Sequence, residues 1–501
     1  MKKQRLTLEK LIRLLSIVLL IVFWTTGITF AQQTLTLNQK DDGFRGIWYS
    51  IGKTNDKYVH KYSGGLGTYP ANHYPFSVYA KEVNKTFFCF GGASKDPKPS
   101  LLHEVAYYDH NTHKVSQPTI VLNKQTEDAH DNPVLSIDSD GYIWLFSTSH
   151  GVERPSYIHR SASPYSIEEF TKIEATYIKD GQRVPFNNFS YLQIYHIENQ
   201  GFFGLMTHYE RGVLKYGNTK PRRTIGFITS KDGMEWSEVR DLGQIEEGHY
   251  QSSGITKLKD GRTKIVSAFN YHPDRETGAG LDYRTNIYYL ETTDFGKTWQ
   301  NANQKTVDLP LSLINNKALI FNAQSHNELV YINDIAFDNL AKPMISYITS
   351  KGPNPGSQNG PHLFKTIYFN GKEWIEKKVT QVDHNYDYGS LYYTNNNFRI
   401  IAPTGNTPFE YNNGGEIEAW ELTDANGAWV KSGILTVNSN YNHSYPRKPL
   451  HSHPDFIAFW ADGHPRQTSI SHLYFSDHLG RVFELPKQFD GMFYKVKPLS
   501  N

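Results

Sequence analysis

The stretch Thr292-Thr293-Asp294-Phe295-Gly296-Lys297-Thr298-Trp299 decides the architecture. It reads Ser/Thr-x-Asp-x-Gly-x-Thr-Trp. The aspartate and the hydroxyls tie a tight hairpin, and the tryptophan is left to wedge between neighbouring strands. Ser230-Lys231-Asp232-Gly233-Met234-Glu235-Trp236 is a shortened copy. Asn370-Gly371-Lys372-Glu373-Trp374 and Asn426-Gly427-Ala428-Trp429 keep the turn and the tryptophan.

Outward from these units the chain alternates short apolar runs with polar turns. Pro133–Ile137 and Tyr142–Ser147 flank Asp138-Ser139-Asp140-Gly141. Ile255–Leu258 and Thr263–Phe269 flank a turn with Asp260-Gly261, and Thr366–Phe369 and Trp374–Val379 flank Asn370-Gly371. Leu473–Phe475 and Val482–Leu485 flank Ser476–Gly480. Asp-Gly and Asn-Gly supply the positive φ that hairpin turns need. Aromatics make up 14% of the chain, with 33 tyrosines, which suits pleated, half-buried surfaces. No helical period of useful length follows the first thirty residues. The Asp-box pattern of the opening stretch is shared with sialidase-like propellers, and it reports fold rather than chemistry. The expectation is an all-β, seven-bladed β-propeller, at roughly 50–65 residues per four-stranded blade. Residues 32–501 are read as one such domain.

Residues 1–31 are read apart, as an export signal. Lys2, Lys3, Arg5, Lys10 and Arg13 precede the apolar run Leu14–Trp24, and Thr29-Phe30-Ala31 ends on a small residue. That segment carries five Lys/Arg against one Glu, so its removal takes the formal charge from +2 to −2. A near-neutral chain does not capture nucleic acid by its overall field. The expectation is an exported protein, secreted, periplasmic or on the cell surface. It has no membrane anchor after cleavage and acts as a monomer. Cys89 is the single cysteine, so no intramolecular disulfide forms, and its setting in Thr86–Phe90 reads as a buried, inert thiol.

A propeller gathers chemistry from several blades over its central channel. Four runs break the strand pattern. Glu127–Pro133 carries His130, and Ser147–Gly151 carries His150, at the two open ends of one hairpin, which brings the histidines together. In Asn187–Tyr195, alternation places Tyr191, Gln193 and Tyr195 on one face. Met206–Gly212 carries His208 and Arg211, and an arginine there suits bidentate grip of a carboxylate. Aromatic-polar loop runs include Gly67–His73, Gly248–Ser252 with Tyr250, and Asn270–Pro273 with His272. Their Tyr and His suit stacking on sugar faces. No His-Glu-x-x-His, paired-cysteine, EF-hand, P-loop or Gly-x-Ser-x-Gly motif is present.

Gly67-Thr68-Tyr69-Pro70, Asp128–Pro133, Ser149-His150-Gly151 and Tyr195…Arg211 together resemble the BNR-type propeller lyases, the ulvan lyases of polysaccharide lyase families 24 and 25. The resemblance implies a seven-bladed propeller that cleaves ulvan, an acidic sulfated polysaccharide, by β-elimination beside glucuronic or iduronic acid. It implies a catalytic set of His130, His150, Tyr195 and Arg211, with Tyr191 as the alternative tyrosine. Asn132, Tyr191, Gln193, His208 and Tyr250 are the expected substrate contacts. No cofactor is required for such chemistry. Some members hold a structural metal, and His272 is the expected ligand here for zinc or calcium. The competing readings are a sialidase-like glycoside hydrolase and a non-catalytic glycan-binding propeller. Gly43-Phe44-Arg45-Gly46-Ile47-Trp48 lacks the proline of the hydrolases' Phe/Tyr-Arg-Ile-Pro run.

Overall fold

The computed structural model describes residues 36–209, 223–274, 280–423 and 427–499. The segment read as an export signal and Arg211 lie outside the described residues. Asn38–Asn501 forms one compact unit.

The expected hairpins form. Pro133–Ile137 pairs with Ile143–Ser147, and Gln251–Lys257 with Thr263–Tyr271. His362–Phe369 pairs with Trp374–Val382, and Leu473–Ser476 with Val482–Glu484. Among the described residues these strands build five four-stranded sheets, two seven-stranded sheets and a two-stranded ribbon, Trp48–Lys53 with His60–Gly65. The regular helical elements described are short 3-10 turns. The sheets follow one another along the chain, and the first strands of successive sheets lie side by side. The fold is an all-β propeller.

The Asp-box shows how the blades are joined. The Thr292 hydroxyl donates to Asp294 Oδ1 at 2.8 Å, and Asp294 accepts from the Thr298 amide and hydroxyl at 3.0 and 2.6 Å. Gly296 sits at φ +80°, and a Cβ there would stand 2.4 Å from the Phe227 ring. Trp299 then packs on Phe227 of the preceding sheet, with ring centroids 5.3 Å apart. The other units repeat the contact. Trp236 meets Phe146 at 6.1 Å, Trp374 meets Tyr289 at 5.2 Å, and Trp429 Nε1 donates to Thr366 Oγ1 at 3.0 Å. Each tryptophan thus leans on the sheet before its own. Burying an aromatic of this size stabilises the interface by about 3–5 kcal/mol relative to alanine.

The ring closes between the last sheet and the first. Phe88 packs on Phe456 and Phe459 at 5.7 and 5.1 Å. The terminal strand Phe493–Lys495 adds to the first sheet by pairing with Lys114–Ser116. Cys89 is fully buried in this shared core, and burial pushes its thiol up, as expected of an inert residue.

Candidate active site

The run Glu127–Pro133 folds into a 3-10 turn, Ala129–Asp131, capped by Asp128. Asp128 Oδ1 accepts from the His130 amide at 3.0 Å and meets His130 Nδ1 at 2.6 Å. Its Oδ2 meets His150 Nδ1 at 2.8 Å and accepts from Arg154 Nη2 at 3.0 Å. Asp131 accepts from the His150 amide at 2.7 Å and from Arg154 Nε at 2.7 Å. Two aspartates and an arginine therefore hold the two imidazoles in a parallel stack, centroids 3.9 Å apart and planes 17° apart. The hairpin reading that brought His130 and His150 together is met.

The two histidines are not equivalent. The His130 side chain is 4% exposed and that of His150 is 36% exposed, so His150 is the one a ligand can reach. Tyr69 Oη lies 2.7 Å from His130 Nε2, and Tyr49 Oη 2.8 Å from His130 Nδ1. Burial, together with the neighbouring His150, holds His130 down at about 4, so it is neutral at neutral pH. Burial raises Asp128, but the two histidines outweigh it and hold the carboxyl well below its usual range. With Asp128 ionised, His130 Nδ1–H donates to the carboxylate.

The tyrosine stripe is divided. The pairing of Ser190–Ile197 with Gly201–Tyr209 slips between Ser190 and Gln193, and Tyr191 stands at φ +49°. An irregularity of this kind re-aims a side chain. Tyr191 turns to His130, ring centroids 6.1 Å apart, and its hydroxyl lies 3.4 Å from that of Tyr250. Tyr195 is placed elsewhere. It is fully buried against Tyr74 and bonded to Ser253 Oγ at 2.9 Å. It lines a cavity of about 620 Å³ with Ser253, Lys448 and His451. Of the two tyrosines, the structure brings Tyr191 and not Tyr195 to the histidine pair, because simple alternation does not survive the slipped pairing.

Two expected substrate contacts are scaffold instead. Asn132 is fully buried, and its Nδ2 donates to Tyr69 O at 2.6 Å and Leu66 O at 3.0 Å, which fixes the loop presenting Tyr69. Gln193 clamps the next sheet, donating to Gln251 O at 3.0 Å and accepting from the Ser253 amide at 2.6 Å. His208 pairs across to Thr224, and the pleat aims it opposite to Tyr209, which borders Gly151. Tyr250 does reach the site. His272 lies against it, centroids 4.9 Å apart. Both His272 ring nitrogens are buried without a hydrogen-bond partner among the described residues, which suits a ligand. His272 is in neither of the described three-residue clusters with metal-holding geometry, which are His110/His453/Asp455 and Asp128/His130/His150.

Residues that sequence reasoning missed complete the centre. The Arg284 guanidinium carbon lies 4.5 Å from the Tyr331 ring centroid and 4.6 Å from that of Tyr250, and Nη2 donates to Tyr386 Oη at 2.8 Å. Tyr62, Tyr386 and Tyr445 join Tyr49 and Tyr69 in one aromatic cluster. Arg284 precedes the strand Thr285–Thr292 and Tyr386 precedes Ser390–Thr394, whereas Tyr62 and Tyr445 lie inside His60–Gly65 and Asn442–Arg447, so no shared position in the sequence marks them.

These features define a class: a β-propeller in which tyrosines and a cation from distant sheets surround a carboxylate–imidazole pair. The family model of the BNR repeat-containing family matches residues 102–382, and the chain belongs to that family. It is similar to an ulvan lyase of Nonlabens ulvanivorans, 21% identical over 413 residues, covering 76% of this chain and 81% of the relative. An ulvan lyase of Alteromonas sp. (strain LOR) is 20% identical over 417 residues, covering 76% and 79%. A solved polysaccharide lyase family 25 ulvan lyase, bound to -[GlcA(1-4)Rha3S]-, superposes with a TM-score of 0.63 at 16% identity, covering 88% of this chain and 96% of that one.

Proposed function

We propose that this protein is an exported, seven-bladed ulvan lyase that cleaves beside a uronic acid by β-elimination. The single observation that carries the reading is the Asp128–His130–His150 centre with Tyr191 beside it, in a chain similar to proteins named ulvan lyases. Seven blades are favoured because each seven-stranded sheet contains an antiparallel run of the blade type, Ser77–Ala80 through Thr119–Asn123 and Ser190–Ile197 through Arg240–Gly243. Export rests on the order of basic, apolar and small residues in 1–31.

The chemistry follows from the residues. The uronate carboxylate is neutralised by Arg211, which acidifies the C5 proton. His150, oriented through Nδ1 by Asp128, presents Nε2 as the base that takes that proton. The C5–H electrons form the C4–C5 double bond, and the C4–O4 bond breaks. Burial holds the Tyr191 phenol well above its usual range, so it is protonated and suited to give its proton to O4. His130 and Asp128 are positioning residues. Ulvan incubated with the purified enzyme is expected to yield ultraviolet absorbance from a new C4–C5 double bond. New reducing ends without that absorbance would identify a hydrolase, and neither signal would identify a binding propeller.

A further inference from the structure

A second constellation of ligating side chains lies away from this centre, where the first sheet meets the last. His110 follows the strand Leu101–Asp109, and His453 and Asp455 occupy the loop between Asn442–Arg447 and Ala458–Gly463. One ligand atom from each lies within 4.8 Å of the others. Asp455 Oδ2 stands 3.8 Å from His110 Nδ1, 3.9 Å from His453 Nδ1 and 4.0 Å from His113 Nδ1. The His110 and His453 rings are 3.7 Å apart.

His453 Nδ1 accepts from the Asp455 amide at 3.1 Å and His113 Nδ1 meets the Tyr108 hydroxyl at 3.0 Å, but the network is unfinished at His110. The His110 side chain is 1% exposed, yet its Nδ1 has no hydrogen-bond partner among the described residues. The Thr86 hydroxyl occupies Nε2 at 2.8 Å, which leaves Nδ1, 3.8 Å from Asp455 Oδ2, as the nitrogen open to a ligand. An outer partner of this kind fixes the tautomer of a metal-bound histidine. A buried imidazole nitrogen with nothing to bond costs free energy unless a ligand takes its lone pair.

We propose that His110, His453 and Asp455, with His113 or water as the fourth ligand, bind a zinc-class divalent ion that ties the first sheet of the propeller to the last. Two or three imidazoles with one carboxylate suit zinc, whereas calcium and magnesium take oxygen ligands. Ligands of a tetrahedral zinc about 2.1 Å from the metal stand about 3.4 Å apart, so closing on the ion shortens the distances from Asp455 to the histidines by about half an ångström. His113 and His453 are partly exposed and can make that shift. The ion would add a bond at the seam where the first sheet meets the last.

The test uses the full mature chain, stripped with chelator and titrated with Zn²⁺, alongside His453→Asn and Asp455→Asn. Bound metal is counted per chain, and Tm is measured with and without zinc. The wild type is expected to hold one more zinc than either variant. Zinc should raise its Tm, while both variants lose that rise and keep wild-type activity on the polysaccharide. His150→Asn should retain the zinc. Equal zinc content and equal Tm shift in wild type and variants would overturn the proposal. So would zinc that is lost only in His150→Asn, or a wild type that binds none.

Discussion

Asp128→Asn removes the charge at the centre of the histidine pair while conserving its shape. The carboxylate meets His130 at 3.0 and 2.6 Å, His150 at 2.8 Å and Arg154 at 3.0 Å. An asparagine offers one acceptor oxygen and one donor amide in its place. One imidazole then faces a donor and must change tautomer or turn away. A hydrogen bond to a charged group contributes about 1.5–3 kcal/mol, which is about 10- to 150-fold in rate for each imidazole misdirected. With both affected, kcat should fall by about 10²- to 10⁴-fold, while KM changes little because Asp128 does not contact substrate. Folding should survive, since Arg154 keeps Asp131 at 2.7 and 3.0 Å. The assay is the initial rate of ultraviolet absorbance from the new double bond on ulvan, with Tm as the control. A variant that is folded and retains more than about a tenth of the wild-type kcat would refute the orienting role of Asp128.

Tyr191→Phe should slow formation of unsaturated product by about 10²- to 10⁴-fold, the share that a positioned general acid supplies. Tyr195→Phe should leave the rate within about threefold of wild type, because its phenol stands outside the reacting centre. A reversed pattern would return the catalytic role to Tyr195. Trp299→Ala should destabilise by about 3–5 kcal/mol, read by denaturant unfolding, because it empties the seam against Phe227; a cost under about 1 kcal/mol would show that the wedge is not structural. Burial alone holds His362 down at about 4. Its folded value lies below the unfolded one, so between about pH 6.5 and 4 the unfolded chain takes up a proton that the folded chain refuses, and stability falls with falling pH. His362→Asn removes that term, so its stability relative to wild type should improve by about 3 kcal/mol from about pH 7 to about pH 4. An unchanged difference across that range would contradict the burial argument.

How far the sequence could be read depends on the distance over which each feature is determined. The hairpins and the turn–Trp units were legible because their hydrogen bonds close within a few residues, as Thr292, Asp294 and Thr298 do. His130 and His150 were legible as a pair because one hairpin joins them. Tyr191 was legible only as the alternative to Tyr195, because alternation holds only while pairing is regular, and the pairing slips between Ser190 and Gln193. Asn132 and Gln193 were polar residues in the right runs, yet they serve the scaffold, since a buried amide must be satisfied by whatever backbone the fold brings to it. By itself, the sequence determined an all-β chain of short hairpins with tryptophan wedges and one histidine pair. Only the tertiary structure decided which residues from distant sheets complete that pair: Tyr49 and Tyr69, 81 and 61 residues from His130, the tyrosine-clamped Arg284, and the seam that joins His110 to His453. Those contacts exist because the ring closes on itself, and closure places together residues that no local spacing relates.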